Sequence, residues 1–382
     1  MKKLLKVLLV LLAAFMIVAC ANETTPTQED ETPDTTETTD DTETEETDSV
    51  EGGQTYEIGV AIYQFNDNFM TLYREELQAY FEELGEEHGN TYNVEVVDGA
   101  NDQARQVEQL NNFVAQGKDL IIANLVSPQG ADTFLQSAKD ADIPVVLINR
   151  EPETTATMEI WPGKTTYVGV DARQSGRYQG EIIAGLENSG DINGDGKVSY
   201  IMLMGDTENV DAQQRTQYSI EQLEETIPTE LLGARLRGDW DQTKGQELAA
   251  NALAQFGDEI EVIFANNDGM GLGALTAIES AGRTVGEDIY IVSVDALEEV
   301  VNLVVAGEYT GTVLNDHFNQ SHTAAEVGIM LLNGEEVAPY YWHDYVKIET
   351  AEDAELIRKD YRTETIEESN ERRAQLDDKE LD

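Results

Sequence analysis

Acidic, amide and aromatic side chains recur in this chain directly after short apolar runs. The first run ends in Tyr63-Gln64-Phe65-Asn66-Asp67-Asn68-Phe69, and later ones are followed by Asn124, Asp211, Trp240, Asn266-Asn267-Asp268, Asp295 and Asn315-Asp316. One or two such residues would be ordinary caps and turn formers. Their recurrence favours one shared cleft. Carboxylates and amides in one plane, with aromatic faces above and below, suit a neutral ring with hydroxyls on its rim and C–H groups on its faces, as in a hexose. Hydrogen bonds to charged groups are the stronger ones, which suits capture from dilute solution.

A second cluster has cation chemistry. Asp191, Asn193, Asp195 and Ser199 stand at positions one, three, five and nine of a loop with Gly196 at six, the front of a calcium loop. Position twelve is Met202 instead of Glu, so a bidentate carboxylate has to come from elsewhere. A polar turn rich in Asp, Asn and Gly is the plainer alternative.

The elements that carry these residues alternate. Residues 57–63, 92–97, 119–126 and 143–149 read as buried strands, and 69–86, 103–116 and 129–141 have apolar residues at helical spacing. A second series begins near Tyr167, with strands at 167–170, 198–204, 231–236, 261–265 and 289–294. The pattern predicts an α/β chain of two doubly wound lobes with parallel sheets, whose ligands sit beyond the carboxyl ends of the strands.

The N-terminus carries other instructions. Lys2, Lys3 and Lys6 precede an apolar run at 7–18 that is short for a bilayer span, which reads as an export signal. It ends in Ile17-Val18-Ala19-Cys20, similar to the lipobox at which bacterial lipoproteins are cleaved and diacylated; Cys20, the only cysteine, would be the lipidated residue. Residues 21–54 are rich in Thr, Asp and Glu, with almost no apolar residues and no Lys or Arg, a composition that cannot bury enough apolar surface to fold and reads as a disordered tether. The whole chain has a formal net charge of −52, and beyond the tether 63 acids still face 21 lysines and arginines. A field of that sign repels phosphate backbones, so nucleic acid and anionic substrates are poor candidates. Neutral ligands and cations remain.

Ile58-Gly59-Val60-Ala61-Ile62-Tyr63, Asp67-Asn68-Phe69-Met70, Ala123-Asn124-Leu125-Val126, Ala265-Asn266-Asn267-Asp268, Val294-Asp295-Ala296-Leu297 and 311–316 resemble the bacterial galactose/glucose-binding proteins, in the same order and over nearly the whole body. The resemblance implies a type I periplasmic-binding-protein fold, with three crossovers and a hinge that closes on sugar. It implies an N-terminal lobe of 55–149 plus about 316–345, a C-terminal lobe of 150–315 plus about 346–365, and a charged tail at 366–382. It implies that Phe69 and Trp240 sandwich the ring and that Asp67 accepts from the hydroxyl at C4. Asn124, Asp211, Arg215, Asn267, Asp295 and Asn315 would supply the other in-plane contacts, with Tyr63 at the border. Asn209 stands where the family commonly has a histidine near C6, a departure that bears on specificity. For the cation loop, the resemblance nominates Glu261 and the backbone carbonyl of Lys197 as further ligands of a structural calcium ion (Ca2+), with Ser199 in place of a longer Gln.

The partners implied are galactose or glucose, the permease and ATPase of an ABC importer, and the outer face of the cell membrane through the lipid, with the protein a monomer. A related pentose or galactoside, or a chemoreceptor or sensor kinase reading the closed form, are the alternatives. An enzyme would need Asp67 with Asp211 or Asp295 as a glycosidase pair, and no separate motif supports that. A sugar-responsive repressor of this fold would need a DNA-binding helix pair where this chain has its export signal.

Overall fold

The computed structural model describes residues 53–358, which fall in one compact unit. The export signal, Cys20, all but the last two tether residues and the charged tail lie outside the described residues. No described helix is long and apolar enough to cross a membrane.

The chain first runs β1 (Thr55–Ile62), α1 (Asn68–His88), β2 (Thr91–Asp98), α2 (Gln103–Gln116), β3 (Leu120–Ala123), α3 (Ala131–Asp140), β4 (Val145–Ile148) and β5 (Thr165–Val170). It continues through α4 (Ala172–Ala184), β6 (Val198–Met204), α5 (Val210–Glu224), β7 (Thr229–Leu231), β8 (Leu236–Arg237), α6 (Gln242–Phe256), β9 (Val262–Ala265), α7 (Asp268–Ser280), β10 (Tyr290–Val292), α8 (Glu298–Ala306) and β11 (Thr312–Leu314). Last come α9 (His317–Leu332), β12 (Tyr340–His343), β13 (Val346–Ile348) and α10 (Ala351–Arg358).

Two sheets result. The first has the order β12-β5-β4-β3-β1-β2 and the second β10-β9-β6-β7 with β8 also on β6, every pairing parallel. Side chains alternate across a strand, so a run apolar throughout feeds a core on each face. In the first sheet Ile58, Val60, Ile62, Leu120, Ile122, Val146 and Ile148 enter one core, while Ala61, Ile121, Ala123, Val145, Leu147 and Tyr167 enter the other. The second sheet divides likewise, Ile201, Leu203, Ile263 and Ile291 against Tyr200, Met202, Phe264 and Val292.

Two details differ from the reading of the sequence. β5 pairs with β4, so the first lobe extends through Val170 instead of ending at 149. Alternation of elements shows that a strand recurs, not which sheet it joins, and the connection from β4 to β5 contains only a short 3-10 turn over Thr155–Ile160. The single strand expected at 231–236 is two short ones, because Gly233 at φ +78° turns the chain between them. The chain passes between lobes after β5, after β11 and after β12, among the described residues.

Candidate functional site

The cleft between the lobes is built mostly from helix starts. Asp67 caps α1, its Oδ1 accepting from the Met70 N–H at 2.8 Å, and Phe69 lies in the first turn beyond it. Asn209 caps α5 through the Ala212 N–H and Asn267 caps α7 through the Met270 N–H, both at 3.0 Å. These caps satisfy N–H groups that a helix start leaves open, and they also aim the residues beside them. Asp211 and Arg215, one turn apart on α5, therefore share a face.

Tyr63, Asp67, Phe69, Asn209, Asp211, Arg215, Trp240, Asn267, Asp295 and Asn315 line one cavity, joined by Asn149 and Arg150. The void is about 30 Å³. That is room for water but not for a hydroxylated six-membered ring, so such a ligand enters only when the lobes part.

Asn124 does not line it. This side chain is fully buried, donating at 3.1 Å both to the Ile148 carbonyl and to Asn149 Oδ1, and accepting from the Tyr63 N–H at 3.3 Å. With its amide engaged in this way, Asn124 fixes Tyr63 and Asn149 instead of facing the cleft. Asn149 and Arg150 are the residues that motif matching missed. Their signal is their place just after β4, the same position that marks the others.

Arg150 is buried, stacks 3.6 Å over the Tyr63 ring and donates to the Val126 carbonyl at 2.7 Å. Tyr63 in turn donates its hydroxyl to Asp67 at 2.5 Å. Burial and the neighbouring Asp67 hold the Tyr63 hydroxyl well above its usual range, so it is a proton donor throughout. Arg215 donates to the Asn266 carbonyl at 2.7 Å and to the Tyr345 hydroxyl at 2.9 Å, and its Nη1 lies 4.0 Å from Asp295. Burial pushes the Asp211 carboxyl up to about 6 against the pull of Arg215, and burial likewise raises Asp295 well above the usual carboxylate range.

Three buried polar atoms in this wall have no hydrogen-bond partner: Asp211 Oδ1, Arg215 Nε and Trp240 Nε1. A buried polar group left unpaired costs about 1–3 kcal/mol, so such atoms gathered at one cavity point to a ligand that completes them.

The sequence pattern of the periplasmic binding protein domain matches residues 58–336. The chain belongs to the periplasmic binding protein family. Among relatives, the D-galactose/methyl-galactoside binding periplasmic protein of Haemophilus influenzae is 36% identical over 282 residues, 72% of this chain and 82% of that one. A putative rhizopine-binding protein of Rhizobium meliloti is 30% identical over 73% of this chain and 85% of its own length. The solved structure of an ABC transporter solute binding protein from Bacillus halodurans with bound myo-inositol is 27% identical, with a TM-score of 0.69, covering 82% of this chain and 100% of that one.

In this periplasmic binding protein the loop at 191–199 folds around Asp191, whose carboxylate accepts from the backbone N–H groups of Gly194, Asp195 and Gly196 at 2.8, 3.1 and 2.9 Å. Gly196 takes φ +90°, the turn that position six requires. Glu261, 1% exposed, faces the loop and accepts from the N–H groups of Asn193 at 2.9 Å and Ser199 at 2.8 Å. The Lys197 side chain turns away to pair with Glu230. Among the described residues no three His, Cys, Asp or Glu side chains gather closely enough to hold a metal ion. The donor types and the backbone fit a hard cation; the carboxylates are turned onto backbone N–H groups.

Proposed function

We propose that this periplasmic binding protein captures free galactose or glucose between its lobes and presents the closed form to the permease and ATPase of an ABC importer. It is exported and held to the outer face of the cell membrane by lipid on Cys20, and it acts as a monomer without any chemical step. The observation that carries this reading is the set of unpaired atoms in the cleft wall, one acceptor on Asp211 and two donors on Arg215 and Trp240. A sugar hydroxyl both donates and accepts, so a rim of hydroxyls can satisfy such a mixed set. Phe69 and Trp240 supply apolar faces for the ring. Asp67, Asn267, Asp295 and Asn315 supply the remaining in-plane bonds.

A pentose or a substituted galactoside is the second reading, favoured by Asn209. Its Oδ1 is occupied in capping α5 and its amide also bonds the Asp211 carboxylate, so it meets a ligand differently from an imidazole. Calorimetric titration of the chain without its export signal against galactose, glucose, xylose and ribose tests both. One-to-one binding of a hexose supports the first, binding of a pentose alone supports the second, and no binding at all removes the hexose assignment.

For the loop, we propose a structural calcium ion held by Asp191, Asn193, Asp195, the Lys197 carbonyl and Glu261, with Ser199 acting through water. A ligand bound only by the folded state stabilises it. Chelation is therefore expected to lower the melting temperature without abolishing sugar binding; a melting temperature indifferent to chelator and to added calcium would count against the site.

A further inference from the structure

Asp268 is a carboxylate whose burial calls for a reason. It opens α7, is fully buried, and lines no part of the cleft. Putting a carboxylate in a core is costly unless its hydrogen bonds are complete. Here they are complete, and two of the three side-chain bonds bear on one turn. Oδ2 accepts from the Leu297 N–H at 2.7 Å. Oδ1 accepts from the Thr312 hydroxyl at 2.7 Å and from the Ser293 hydroxyl. The Thr312 oxygen also accepts from the Ala296 N–H at 3.3 Å.

The residues spanned by these bonds are Asp295 at φ +132° and Ala296 at φ +54°. Neither is glycine, so this turn is strained and persists only if its surroundings hold it. Asp295 faces the cleft, as does Asn267, the residue before Asp268. The Asp268 backbone N–H also donates to the Val294 carbonyl at 2.7 Å, fastening the same segment from its other side.

We propose that Asp268 is the positioning residue of the binding site, its carboxylate holding the turn of Asp295 and Ala296 in the arrangement that presents Asp295 to a ligand. The proposal rests on the reading of the cleft as a sugar site. An apolar residue of similar size would fill the space at Asp268 and leave the Leu297 N–H and two hydroxyls without their acceptor, freeing the turn. The Tyr309 hydroxyl, which donates to Ser293 at 2.7 Å, is part of the same buried network but does not touch the turn.

The test compares Asp268→Asn, Thr312→Val and Tyr309→Phe with the wild-type chain. Amide hydrogen exchange at 295–297 is measured without ligand, together with galactose and glucose affinity and the melting temperature. Asp268→Asn and Thr312→Val are expected to speed exchange at the turn and to weaken sugar binding about tenfold, the worth of one misaligned charged hydrogen bond. Tyr309→Phe is expected to lower stability with affinity and turn exchange unchanged. If Asp268→Asn does not fold, Thr312→Val carries the test. Wild-type affinity in the first two variants overturns the proposal, as does a loss in Tyr309→Phe equal to theirs. A wild-type chain that binds neither sugar refutes the galactose or glucose reading of the cleft, and turn exchange then decides the positioning role by itself.

Discussion

The two walls of the cleft are built by different means. On the first lobe, Asp67 and Phe69 occupy a cap and a first helical turn, and the one left-handed residue lining the cleft is Asn149 at φ +61°, a type that tolerates that conformation. On the second lobe, Asp239 at +50°, Trp240 at +64°, Asp295 at +132° and Ala296 at +54° include types that do not. Each such residue costs about 1–3 kcal/mol. The second wall therefore depends on its supports. Trp240 packs against the cores of both lobes, and its ring lies where a Cβ on Gly205 would come within 2.4 Å of it. Its turn is flanked by pairing of Arg237 with Asp206 and Asp239, and of Lys244 with Asp239. The first wall follows from local rules, whereas the second is imposed by tertiary contacts.

Breaking the second wall is expected to have the largest effect. Trp240→Ala should weaken sugar binding by about 3 kcal/mol or more, over a hundredfold, and Phe69→Ala by less, because Trp240 has the larger face and is fixed by both cores. Calorimetric titration of both variants checks the order; an equal loss would mean that strain and dual packing add nothing. Asp211→Asn, which removes the charge and turns one of the two acceptor oxygens into a donor, should cost about 1.5–3 kcal/mol of binding with little change in melting temperature.

The seam between the walls titrates. Glu151, which follows Arg150, is pushed from 4.5 up to about 8 by burial and by Asp211 and Asp171, with Arg173 opposing. The folded state then keeps a proton that the unfolded state gives up. Its contribution to stability is fully present below about pH 4.5 and is lost as pH rises through about 8. Thermal melts at pH 5 and pH 9 should show that fall in the wild type and a smaller one in Glu151→Gln. The smallest effect is expected from Arg237→Ala. Its pairs are partly exposed, so the loss should stay below about 1 kcal/mol and shrink in salt. A loss of Trp240-dependent affinity there would show that the ion pairs, and not the packing around Gly205, hold the turn.

Much of this was legible from residue order. Apolar runs of four to eight residues, each followed by Asp or Asn, mark β1, β3, β6 and β9 and place Asp67 and Asn267 at helix starts, because caps and strand ends obey local chemistry. Asn124 departs from that pattern. It follows a strand, but its amide is consumed by Tyr63, Ile148 and Asn149, and such engagement is a property of neighbours distant in sequence.

By itself the sequence determined the alternation of strands and helices, the acidic field, the helix caps and the residue types that gather at the cleft. These depend on neighbours within a few positions or on composition alone. Only the tertiary structure decided that β5 joins the first sheet, that Arg150 stacks on Tyr63, and that the turns bearing Trp240 and Asp295 are strained and held by Gly205 and Asp268. Strained backbone and buried charge run against local preference. They exist only where contacts from remote parts of the chain outweigh it.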